Sequence, residues 1–153
     1  MSPYPRTLAI ILALGLVPMA FAHEAHDDHG KAIEYRTALM DVFAWNLKSM
    51  MAMAKGKRPF DSERFRRHAR DLHRATRLDL LAGFPEDSDE GDDTDARPDI
   101  WLDWETFVGK YRGLVKAAGA LETAAAGGDR AAMKHALQDT AKACKSCHKA
   151  FRE

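Results

Sequence analysis

Apolar residues return every three or four positions in four separate segments of this chain and nowhere alternate by twos, a pattern that packed helices satisfy and strands do not. From Ile33 onward, Met40, Phe43, Leu47, Met50 and Ala54 mark one face of a first helix, which Gly56 and Pro59 interrupt. Asp61 then stands as the N-cap of a second helix that contains Arg64, Phe65 and Leu72 and should end near Gly83 and Pro85. A third should begin around Asp99 and carry Trp101, Trp104, Val108, Tyr111, Val115, Ala118 and Leu121, until Gly127-Gly128 stops it. Asp129 caps a fourth, in which Met133, Leu137, Thr140, Cys144, Cys147, His148 and Phe151 share one side and should face inward. Four amphipathic helices with short or polar connections predict an all-α fold, an antiparallel up-and-down four-helix bundle. The stripes define a fold and leave its function open.

The remaining segments divide the chain. Arg6, the apolar run Leu8 to Phe21 and the signature Ala20-Phe21-Ala22 read as a secretory signal peptide over residues 1–22, and the apolar stretch is shorter than the roughly 20 residues a spanning helix needs. Cleavage after Ala22 leaves 131 residues, with 22 Lys and Arg against 23 Asp and Glu. So balanced a chain has no footprint for nucleic acid, and none for a membrane surface once the signal is removed. Residues 23–30 form a polar tail with His23, His26 and His29, read as a frayed terminus without fixed metal-ligand spacing. Residues 31–153 form one four-helix domain, whose acidic stretch Glu86 to Asp95 has no apolar residue and reads as a solvated loop.

Cys144-Lys145-Ser146-Cys147-His148 carries the chemistry, because it matches the C-x-x-C-H signature of haem attachment. Two thiols at this spacing can add to the two vinyl groups of a haem, and the adjacent imidazole can bind its iron from one face. A thioredoxin-like pair would open a helix after a strand, and a zinc ribbon would need a second cysteine pair; the chain has neither pattern. The expected cofactor is one covalently attached haem c, with His148 as an axial ligand. Met40, on a core-facing stripe, is a candidate for the other axial position, although methionine at helical spacing more often fills a core. Met50, Met53 and Met133 have weaker claims. His68 and His73, among arginines, read as solvated or cap-like, and His135 faces away from the haem stripe.

Together with C-x-x-C-H near the C-terminus, the segments Tyr35-Arg36, Asp95-Ala96-Arg97-Pro98-Asp99-Ile100-Trp101 and Cys144 through Arg152 resemble the class II c-type cytochromes, the cytochrome c-prime family, across the whole mature chain. The resemblance puts Met40 at the family's distal position, with Phe43 beside it as part of an apolar cover. It also implies that Arg36 lies near the haem and Arg152 near its proximal side. In one branch of the family a methionine ligates the iron and the protein transfers electrons; in the other the iron is five-coordinate and takes nitric oxide or carbon monoxide. The expectation drawn is a periplasmic His/Met-ligated electron carrier, not an enzyme, serving a redox partner protein that the sequence does not identify. The five-coordinate, gas-binding protein is the alternative, and homodimers are common in the family.

Overall fold

The computed structural model describes residues 20–91 and 93–153. Most of the expected signal peptide therefore lies outside the described residues. Four long helices, α1 (Ala20–Ala54), α2 (Ser62–Ala75), α4 (Trp104–Gly127) and α5 (Arg130–Phe151), form the bundle, and α3 (Asp99–Leu102) is a single turn leading into α4. Helix α1 packs on α2, α2 on α4, and α4 on α5, while the contact between α1 and α5 is sparser than these three. The link from α4 to α5 is as short as a chain reversal allows. Gly128 takes φ +79°, the left-handed C-cap that favours glycine, and Asp129 immediately accepts from the Ala131 N–H at 2.9 Å as the next N-cap.

Helix α1 shows how the core is assembled. Ile33, Leu39, Phe43, Met50 and Met53 are buried on it at helical spacing, and so are the polar side chains of Arg36 and Asn46. Met40 and Leu47, assigned by periodicity to the same stripe, are only half-buried and lie one position round the helix. The two polar residues break the hydrophobic pattern while keeping its geometry, which is why periodicity passed over them. Fully buried Phe65, Leu121, Met133 and Leu137 join α2, α4 and α5 to the same core, each such side chain stabilising by about 1.5–3 kcal/mol through removal from water.

Four expectations about element boundaries require correction. Among the described residues α1 spans Ala20–Ala54, so the polar tail of residues 23–30 is helical instead of frayed; no proline interrupts this span, and Gly30 costs only about 1 kcal/mol within a long helix. Helix α2 ends at Ala75, well before Gly83. The Thr76 hydroxyl donates back to the His73 carbonyl at 2.9 Å, and the Tyr111 hydroxyl of α4 reaches the freed carbonyls of Thr76 and Leu78 at 2.8 and 2.9 Å. After this turn, Asp79 caps a short 3-10 helix, Leu80–Gly83. The expected third helix is broken at Asp103, whose backbone leaves the helical region (φ −131°, ψ 53°) while its carboxylate accepts from the Thr106 N–H, the local competition that makes aspartate a cap rather than an interior residue. Past the break, Phe107, Leu114, Ala118, Leu121 and Ala125 form the buried face, leaving Val108 and Val115 half-buried and Trp104 38% exposed.

The acidic stretch is the fourth. Ser88 within it is 0% exposed, because α1 reaches into this loop with a side chain described below. At its near end, Gly83 lies so close to α1 that a Cβ there would stand 2.8 Å from the Arg36 Cβ and 3.2 Å from the Ala32 carbonyl oxygen. Gly83→Ala is therefore expected to destabilise the fold by about 1–3 kcal/mol through overpacking. Urea unfolding of parent and variant checks this, since the midpoint should fall with little change in slope.

Candidate functional site

Where α1 and α5 part, a cavity of 450 Å³ opens, lined by residues of both helices, by Leu72 of α2, by Phe107 and Leu114 of α4, and by Leu80 and Phe84 of the connection. The sulfur-bearing residues Cys144 and Cys147 line it from successive positions of one α5 face, and both are free, half-buried thiols. Burial pushes both thiols above the ordinary range, an effect that the ammonium of Lys110 partly opposes at Cys147. Lys110 itself lines the cavity and donates to the Ser146 hydroxyl at 2.8 Å.

His148 also lines the cavity, although its side chain is more exposed than the inward-facing stripe implied. It stands at the edge of that stripe, one position beyond Cys147. Desolvation lowers its pKa, and the nearby positive charge of Arg152 adds to the shift. The imidazole is therefore neutral at pH 7, the form that binds a metal. It has no hydrogen-bond partner among the described residues.

Arg152, one turn after His148, is held at the rim. Its Nε donates to Asp95 Oδ2 at 2.9 Å and its Nη2 pairs with the same oxygen. Backbone bonds from Arg97 N to the Phe151 carbonyl (3.1 Å) and from Glu153 N to the Asp95 carbonyl (3.0 Å) fasten residues 95–97 to the end of α5. Beneath them, Phe107 packs edge-on against Phe84 and Phe151 at centroid separations of 4.8 and 5.4 Å, and the Trp101 indole N–H donates to the Pro85 carbonyl at 2.9 Å.

The α1 wall is made by Met40, Phe43, Ala44 and Leu47, with Arg36 above them. Arg36 is only 4% exposed. Its Nη1 donates to the Gly83 carbonyl and the Ser88 hydroxyl at 2.9 and 2.7 Å, and its Nη2 to the Ser88 carbonyl and the Thr94 hydroxyl at 2.5 and 2.6 Å. The guanidinium also lies over the Phe84 ring, 4.7 Å from its centroid. Desolvation lowers its pKa, opposed by Asp89, and among the described residues no carboxylate forms an ion pair with it. Its partners are carbonyls and hydroxyls of the Gly83-to-Thr94 segment.

The cavity thus collects all seven residues singled out from sequence: Arg36, Met40, Phe43, Cys144, Cys147, His148 and Arg152. Met50, Met53 and Met133 are core residues outside its lining, leaving Met40 as its methionine among the described residues. The histidines set aside are also outside it, but two of them, half-buried, make contacts between helices. His68 Nδ1 meets Asn46 Oδ1 at 2.9 Å, and His73 Nδ1 meets Glu122 Oε2 of α4 at 2.6 Å, so both link helices. His135 pairs with Asp139 on the surface of α5. Lining residues that periodicity missed are Phe84 and Lys110; the nearest signal for Asp95 was the resemblance of the 95–101 segment.

The donor set fits a covalently held haem: two thiols and one neutral imidazole on a single helix face, opening onto a largely apolar cavity of a size typical for cofactor sites. The comparisons with known proteins agree. Residues 31–152 match the family model described as Cytochrome C'. The chain is 35% identical to cytochrome c' of Rubrivivax gelatinosus, covering 81% of this chain and 95% of that one. It is 35% identical to cytochrome c-554 of Cereibacter sphaeroides over 100% of this chain and 99% of the other. Among solved structures, cytochrome c prime from Shewanella frigidimarina superimposes with a TM-score of 0.79 at 37% identity, covering 82% of this chain and 96% of that one. A nitric oxide complex of a mutant cytochrome c prime from Alcaligenes xylosoxidans does so with a TM-score of 0.74 at 29% identity, covering 82% and 95%. With its bundle, its C-terminal Cys144-to-His148 motif and a match running from residue 31 to residue 152, this chain belongs to the cytochrome c' family of haem proteins.

Proposed function

We propose that this is a periplasmic protein with one haem attached through Cys144 and Cys147, and that it binds a diatomic gas, nitric oxide or carbon monoxide, without substrate chemistry of its own. The periplasmic assignment rests on the signal-like first 22 residues. The observation that carries the gas-binding reading is the apolar α1 wall of the cavity that His148 lines, formed by Met40, Phe43, Ala44 and Leu47. The nitric oxide complex among the similar structures supports it.

When bound, the haem supplies an iron able to take a diatomic ligand. The rest belongs to the chain. Cys144 and Cys147 hold the group to α5 by thioethers, and neutral His148 presents a ring nitrogen without first having to lose a proton. Met40 and Phe43 keep the α1 wall apolar, which disfavours water and charged ligands over small, nearly apolar gases. Arg36 anchors that wall to the loop by four hydrogen bonds, and Arg152 with Asp95 braces the C-terminal end of α5.

A His148/Met40 electron carrier is the second reading, favoured by Met40 lining the same cavity as His148. Absorption spectra separate the two. The gas-binding reading expects a high-spin ferric spectrum at neutral pH that Met40→Ala leaves unchanged, together with faster carbon monoxide association in the ferrous variant because a bulky apolar side chain has gone. A low-spin spectrum whose methionine-to-iron band disappears in Met40→Ala would establish the electron carrier instead.

A further inference from the structure

A second cavity, of 330 Å³, lies on the α1–α2 face and shares no lining residue with the first. Trp45 and Ser49 line it from α1, Arg58 from the connection, and Arg64, Arg67, His68 and Asp71 from α2. The α2 residues stand at i, i+3, i+4 and i+7, so a whole stripe of that helix is given to charged and titratable groups. Three guanidinium groups face one carboxylate.

Those charges are poorly compensated within the chain. Arg58 and Arg67 have no ion pair among the described residues, whereas Arg66, elsewhere on α2, pairs with Glu63 at 3.1 Å. Arg64 meets only Asp61, at 3.9 Å, and that carboxylate is already engaged as the N-cap, accepting from the Arg64 N–H at 3.0 Å. Asp71 is shared with Arg70 at 3.7 Å. Beside them, His68 is fixed in orientation: buried Asn46 donates its amide N–H to the Val42 carbonyl at 2.9 Å, so its oxygen accepts from His68 Nδ1 at 2.9 Å. His68 Nε2 has no partner among the described residues.

We propose that this cavity is a binding site for a small multivalent oxyanion of the inorganic phosphate class, held by Arg58, Arg64 and Arg67 against the wall formed by Trp45. Like charges gathered at a concave surface repel one another, and an anion with several acceptor oxygens removes that repulsion while meeting the planar donor forks of arginine. His68 is the fourth donor, available through Nε2 once the ring is protonated. Burial lowers the His68 pKa; Asp71 opposes this, and Arg64, Arg67 and Arg58 add to it. The groups facing the ring are these three arginines and Asp71, since Trp45 and Ser49 bring no charge from α1. A bound dianion offsets the positive local field of the three arginines and raises the His68 pKa.

The test is calorimetric titration of the haem-loaded protein with sodium phosphate in chloride buffer of constant ionic strength. Saturable binding is expected. Arg67→Gln should weaken it by roughly tenfold or more, the loss of one charge-assisted hydrogen bond, and Arg77→Gln, outside the cavity, should leave it unchanged. If Arg67→Gln does not fold, Arg58→Gln in the connection reads the same contact. Nuclear magnetic resonance should show the His68 titration at higher pH in phosphate than in chloride. Absence of saturation, equal weakening by Arg67→Gln and Arg77→Gln, or an unmoved His68 titration would each overturn the proposal.

Discussion

Replacing Cys144 and Cys147 together by serine is expected to abolish covalent haem retention. Purified from a host with haem-attachment machinery, the parent should keep its Soret absorbance through acid-acetone extraction, and the double variant should lose all of it to the organic phase. Serine hydroxyls have nearly the size of the thiols but do not form thioethers, so the change removes bonds with little change in shape. Both sulfurs line the cavity on one turn of α5, and each single variant should retain one attachment and resist extraction. An extraction-resistant Soret band in the double variant would contradict the proposed attachment. The substitutions should spare the helical bundle, because both thiols are only half-buried and the core of α5 is made by Met133, Leu137, Thr140 and Phe151.

Arg36→Met carries the largest expected effect on stability. The substitution keeps a long flexible stem but removes four hydrogen bonds, leaving the Gly83 and Ser88 carbonyls and the Ser88 and Thr94 hydroxyls short of a donor. Burial already lowers the Arg36 pKa, so losing the charge returns part of the cost. The net destabilisation expected is about 2–4 kcal/mol. Arg36→Lys should recover only part of it, since an ammonium lacks the planar fork that reaches both sides of the loop. Urea unfolding of the three proteins tests this; a loss below about 0.5 kcal/mol for Arg36→Met, the range of ordinary surface substitutions, would refute the role given to Arg36.

The two variants probe parts of the site with different visibility in the sequence. Cys144, Cys147 and His148 form a contiguous motif whose spacing alone implies its chemistry. Arg36 was marked only by resemblance, and nothing in its neighbourhood announces that it is buried or that its partners are Gly83, Ser88 and Thr94. Ser88 and Thr94 belong to a segment that reads as a solvated acidic loop, and much of it is exposed. Ser88 is buried there and Thr94 half-buried because a side chain from another helix satisfies their polar groups.

What the sequence by itself determined is therefore local: helical periodicity, the caps at Asp61 and Asp129, the stop at Gly127-Gly128, and a C-x-x-C-H motif carried on α5. Each depends on residues within about one or two turns, a range over which helical geometry makes spacing equivalent to position. Only the tertiary structure decided that α2 stops at Ala75, that α1 is clamped to the loop by Arg36, that Met40 lines the cavity while Met50 fills the core, and that arginines gather about His68. Tyr111 lies 35 residues from Thr76, and Arg36 lies 52 from Ser88. Such hydrogen bonds form only after packing has brought the partners together, and no periodic pattern in the chain encodes them.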